Sequence, residues 1–110
     1  MSVVLPPGIQ EFVDATNAGD SHAFVAAFTP DAVLDDWGRT FTGHEGIFRW
    51  NVSDNIGQRS HFEVVSAEET ETPGVWTVVL TVTGDGYNGT GPMTFTLDGD
   101  HIARLVISPT

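Results

Sequence analysis

Two adjacent carboxylates, Asp35 and Asp36, close an otherwise apolar stretch, Ala32-Val33-Leu34-Asp35-Asp36-Trp37. In an extended strand Leu34 and Asp36 share one face and Asp35 takes the other. Two placements are open to Asp36. Facing an apolar interior, its charged form is disfavoured and it becomes a useful general base. At the mouth of the strand, it is solvated or caps a turn. The four histidines are His22, His44, His61 and His101, and no pair has metal-ligand spacing. His22 and His44 fall in first helical turns and His101 in a hairpin, so exposure is expected for all three. His61 begins a strand and is a candidate for the interior.

Much chemistry is excluded by composition. The chain has no cysteine, so disulfides, thiolate metal sites and cysteine nucleophiles are all ruled out. It has no lysine either, which removes Schiff-base chemistry. Four arginines stand against fifteen acids, giving a net charge of −11. That balance repels phosphate backbones and argues against nucleic acid as a partner. Residues 84–91 hold four glycines but follow no strand-to-helix pattern, so they read as a hairpin bend and not a phosphate loop. No Gly-x-Ser-x-Gly elbow occurs, and nothing signals a metal or other cofactor.

The elements that must position these residues follow from periodicity. Ile9, Phe12, Val13 and Thr16 mark one helical face, with Pro6-Pro7 at its start and Gly19 at its end. Asp20 is placed to cap a second short helix carrying Phe24, Ala27 and Phe28, stopped by Pro30. Ala32–Trp37 reads as a strand and Gly38–Thr40 as a turn. Thr42-Gly43-His44-Glu45 has capping-box spacing for a third helix bearing Ile47, Trp50, Asn51 and Asp54, with Gly57 ending it. Four strands follow: His61–Glu69, Val75–Thr83, Met93–Leu97 and Ile102–Ile107, with turns at Pro73-Gly74 and Asp98-Gly99. Helices segregated before an antiparallel meander predict an α+β fold. The expected form is a cone, with three helices across the open side of a strongly bent sheet. The whole chain, 1–110, is expected to form one domain. The N-terminus lacks the pattern of a signal peptide and no apolar run is long enough to span a membrane. A cytoplasmic location is therefore expected, with no membrane partner.

Ile9–Phe28, then Thr29-Pro30-Asp31-Ala32-Val33-Leu34-Asp35-Asp36-Trp37-Gly38 and Phe41-Thr42-Gly43-His44-Glu45-Gly46-Ile47, resemble the NTF2-like superfamily. The SnoaL-like branch, similar to polyketide cyclases and ketosteroid isomerases, is the nearest in pattern. The resemblance covers about Ile9 to Ile107 and implies a pocket for a small hydrophobic organic molecule, with no cofactor. The isomerases carry Asp-Ala-x-x-Glu-Asp-Pro, whose last acid is the general base, and on this sequence that acid is Asp36. Their two oxyanion donors fall on Phe12 and Met93, neither of which can donate a hydrogen bond. Losing one such donor costs about 2.7–4 kcal/mol of transition-state stabilisation, so steroid isomerisation is not expected. The epoxide hydrolases of the superfamily need an Asp-Arg-Asp relay, for which the sequence alone places no arginine.

The resemblance also assigns Trp50 as a flat apolar wall and Asn51 as the second polar group, able to hold a substrate carbonyl or orient Asp36. Trp37 and Phe41 would close the mouth. Phe12, Phe28, Met93, Leu105 and Ile107 would form the walls, with His61 a further pocket residue. An ordinary core would need the same aromatic and aliphatic side chains. Three roles remain open: proton transfer on a hydrophobic carbonyl compound with Asp36 as base, non-catalytic binding of a hydrophobic metabolite, and a dimeric interaction module. Apolar residues on the outer sheet face, such as Val106, together with the habit of the family, suggest a homodimer.

Overall fold

The computed structural model describes residues 4–108. Helix α1 (Pro7–Ala18) begins on proline, whose missing N–H costs nothing in a first turn. It ends at Gly19, whose φ of 70° supplies the left-handed cap that an L side chain resists. Asp20 then caps α2 (Ser21–Ala26), its carboxylate accepting from the Ala23 N–H at 3.1 Å.

Here the structure departs from the expected elements. Helix α2 is over by Ala27, and Phe28 opens strand β1 (Phe28–Asp36). Pro30 lies inside that strand, where the register shifts between Phe28 and Val33. Such an irregular stretch is where a sheet tolerates a residue without an N–H. The next turn is Trp37-Gly38 alone, and Arg39–Thr42 forms an unforeseen strand, β2. Helix α3 (Gly43–Asp54) makes no side-chain cap from Thr42, so the capping box is not used. The helix stops at Asn55, before Gly57, which sits in a 3-10 turn, Ile56–Gln58. Gly57 is needed there because a Cβ would collide with the Val52 carbonyl oxygen.

The remaining strands are β3 (His61–Glu69), β4 (Val75–Thr83), β5 (Gly89–Asp98) and β6 (His101–Ile107). The sheet runs β2-β1-β6-β5-β4-β3. Every pairing is antiparallel except β1 with β6. The chain is thus the expected α+β cone: three helices on a mainly antiparallel, unclosed sheet. Among the described residues no helix is long and apolar enough to cross a membrane.

One end of the cone is solid. Phe12 of α1 packs against Phe24, Phe28, Phe62 and Phe95, with ring centroids 5.2–6.1 Å apart. Leu34 and Leu105 pair across β1 and β6 and are fully buried beside this cluster. Aromatic packing of this density leaves no room for a ligand. The space that remains lies at the other end.

Candidate functional site

Five strands end or begin at the open mouth. Asp36 closes β1 and Ile107 closes β6, while Met93, Leu80 and Phe62 are inward-facing residues near the same end of β5, β4 and β3. Across from them stand the C-terminal half of α3 and the 3-10 turn. Between the two layers lies a cavity of about 460 Å³, within the range that drug-sized molecules occupy. Its walls are Trp50, Phe62, Leu80, Val82, Met93 and Ile107. Trp37, Tyr87 and Pro92 stand at its rim, the first two about half exposed.

The polar groups gather around the opening. Asp36 and Arg39 are cross-strand partners on either side of the Trp37-Gly38 turn. Arg39 Nη2 donates to Asp36 Oδ2 at 2.6 Å and to Asp54 Oδ1 at 2.9 Å, while Nη1 donates to Asp54 Oδ2 at 3.3 Å. The Trp50 indole N–H donates to the same Asp36 Oδ2 at 2.9 Å. Both bonds to Asp36 fall on one oxygen, and no donor among the described residues meets Oδ1. Asp36 lines the cavity with its side chain 14% exposed, and its second oxygen is left without a partner among the described residues.

Arg39 is therefore clasped between two carboxylates. The hydrogen bond to Asp54 leads in holding its guanidinium above the ordinary value, and Asp36 adds to it against some loss of hydration. For Asp54, partial burial opposes the charged form, but the hydrogen bonds from Arg39 and Ser53 outweigh it and hold the carboxyl below the usual range. The triad can accept a proton or a hydrogen bond. As an acid it is poor, because Asp54 is held ionised.

Behind the triad runs a buried amide chain. Asn51 is fully buried and donates to Ser21 Oγ at 3.0 Å. Its own oxygen accepts from Asn55 Nδ2 at 3.2 Å, and Asn55 Nδ2 also reaches Thr16 Oγ1 at 2.9 Å. Asn51 thus stands behind the cavity wall, and Asn55, one helical turn on, borders the cavity.

Of the other residues singled out from sequence, Trp37, Trp50, Met93 and Ile107 line the cavity with Asp36. Phe12, Phe28 and Leu105 do not, because they fill the solid end of the cone. Asp36 is at the mouth of the cavity in an ion pair with Arg39, and not deep among the apolar walls. His61 is exposed, since its inward neighbour Phe62 takes the opposite face of β3. Phe41 shares the face of β2 that carries Arg39 but does not line the cavity; it packs against the core, with the Arg39 guanidinium 5.5 Å from its ring centre. Arg39, Asp54, Asn55, Ser60 and Tyr87 were not legible as site residues. Their meeting depends on the two-residue hairpin and the 3-10 turn, and neither spacing nor periodicity encodes those. One signal was present: Asn51, Asp54 and Asn55 are spaced to share a helix face.

An α+β cone with an apolar cavity at its mouth and a charged rim defines a class of small-molecule pocket proteins. Residues 9–105 match the SnoaL-like domain family, and the chain belongs to it. A Sinorhizobium meliloti protein provisionally named a polyketide cyclase is 30% identical, covering 93% of this chain and 94% of its own, with a TM-score of 0.81. RV0760c from Mycobacterium tuberculosis, solved in complex with estradiol-17β-hemisuccinate, is 14% identical over 90% of this chain and 88% of its own, at a TM-score of 0.78. A computationally designed 17-OHP binder is 16% identical over 94% and 88%, at a TM-score of 0.82. At those identities the last two share the fold alone. No curated protein matches this sequence.

Proposed function

We propose that this protein binds a flat, neutral, hydrophobic molecule of steroid-like size in the mouth of its cone, with a hydroxyl on Asp36. One observation carries this reading: the cavity is walled by apolar side chains, and its charged groups stand at the rim with Asp36 Oδ1 open. A flat wall from Trp50 suits a fused ring system. A buried ligand hydroxyl needs an acceptor, and Asp36 supplies one.

The rim argues against anions. Two carboxylates face one guanidinium, and the chain carries a net −11. The M. tuberculosis relative was solved with a hemisuccinate ester, which bears a carboxylate. For this chain the free alcohol, estradiol, is the better probe. Quenching of intrinsic tryptophan fluorescence by estradiol is expected in the wild type, with roughly tenfold weaker affinity in Asp36→Asn, whose amide presents a poorer acceptor. Estradiol-17β-hemisuccinate should bind less tightly than estradiol. Tighter binding of the hemisuccinate, or no binding of either, would defeat the proposal.

Proton transfer is a second reading, favoured by the open carboxylate oxygen beside the cavity. The two positions that carry the isomerases' oxyanion donors supply none here, since Met93 lines the cavity without a donor and Phe12 is packed away from it. Asp36-dependent exchange of the α-protons of a bound steroid ketone for deuterium would support it. We also propose that two copies meet through the outer sheet face, around Val106 and its strand neighbours Asp35 and Thr94. Sedimentation velocity tests this: the expected dimer should dissociate in Val106→Arg.

A further inference from the structure

We infer that Asn55 and Ser60 form a second polar subsite, which binds a second hydroxyl on the same ligand. This rests on the binding mode above and adds a requirement to it: the ligand is hydroxylated at both ends. Asn55 and Ser60 both border the cavity and are almost wholly buried, at 1% and 7% exposure.

The orientation of the Asn55 amide is fixed by its neighbours. Thr16 spends its hydroxyl proton on the Phe12 carbonyl at 2.9 Å, so its oxygen must accept from Asn55 Nδ2. Asn51 donates its own amide to Ser21, so its oxygen also accepts from Asn55. Both protons of Asn55 Nδ2 are thereby used. Its Oδ1 has no donor among the described residues. Every fully enclosed polar side-chain atom there has a partner, so this oxygen must reach open space, and the cavity is the space Asn55 borders.

The Ser60 hydroxyl has no partner either, and the two residues are tied together by the Ser60 N–H donating to the Asn55 carbonyl at 3.1 Å. An acceptor beside a hydroxyl that can donate suits an alcohol, which gives one hydrogen bond and takes another. A keto group could use only Ser60, and a methyl group neither. Asp36 ends β1 and Ser60 leads into β3, on opposite flanks of the sheet. A rigid molecule lying across the mouth therefore meets a polar group at each end and apolar walls between.

Estradiol and its 17-deoxy analogue, which keeps the phenol alone, separate this subsite from the binding reading itself. Wild type should bind estradiol about tenfold more tightly than the analogue, the worth of one buried hydrogen-bonded group. Ser60→Ala should lose most of that preference with an unchanged melting temperature, and Ser60→Thr should keep it. Equal binding of both steroids by wild type, or a preference undiminished in Ser60→Ala, would overturn the subsite and leave the binding reading standing. If neither steroid binds, the binding reading fails and the subsite with it.

Discussion

Trp37 occupies a place in the chain where tryptophan is costly. With Gly38 it forms the two-residue loop between β1 and β2, and both residues have positive φ, 51° and 88°. That is the signature of a type I′ turn, whose first position favours Asn or Asp. A non-glycine side chain in this region costs roughly 1–2 kcal/mol, most of which asparagine avoids. Packing does not explain the choice, because Trp37 is 56% exposed. The informative comparison is Trp37→Asn against Trp37→Ala. Both remove the indole, but only alanine keeps the steric penalty of an ordinary Cβ. The asparagine variant should be the more stable by about 1 kcal/mol, or about 4–8 °C in melting temperature for a domain near this size. Thermal unfolding followed by circular dichroism measures the difference. Estradiol affinity should fall about tenfold in both variants, since each loses the aromatic rim. Equal stabilities would refute the strain argument, and unchanged affinity would remove Trp37 from the site.

Phe12→Ala should cost about 3–5 kcal/mol, because four aromatic rings pack on Phe12 and cannot collapse together; chemical denaturation reads this directly. Arg39→Gln should destabilise by about 1 kcal/mol at pH 7, the upper end for a half-exposed ion pair. Because Asp54 is held below its unfolded value of about 3.9, its contribution is present above that pH and is lost as pH falls through the folded value. The gap between wild type and Arg39→Gln should therefore narrow below about pH 4. A gap independent of pH would show that the clasp is not what the arginine contributes.

The helices and long strands were legible because their signals are local and repeated. The face of Ile9, Phe12, Val13 and Thr16 sets α1 whatever lies around it. The site was less legible. Asp36, Trp50, Met93 and Ile107 could be placed by strand parity and family pattern, but Arg39 joins them only because the turn is two residues long. Phe28 was displaced by a sheet that accepts Pro30 at an irregularity, a tertiary effect overriding a local helix stop. Asn51 and Asn55 are one helical turn apart and both amides. Which of the two borders the cavity depends on where α3 ends, and that is set by the 3-10 turn, where Gly57 lies against the Val52 carbonyl. No periodic pattern records such a contact.

The most direct test of the account is a crystal structure of the protein with estradiol. The steroid is expected between Trp50 and the inner faces of β4 and β5, with one hydroxyl within hydrogen-bonding distance of Asp36 Oδ1. A steroid on the outer face of the sheet, or one in the mouth with no polar atom near Asp36, would contradict it.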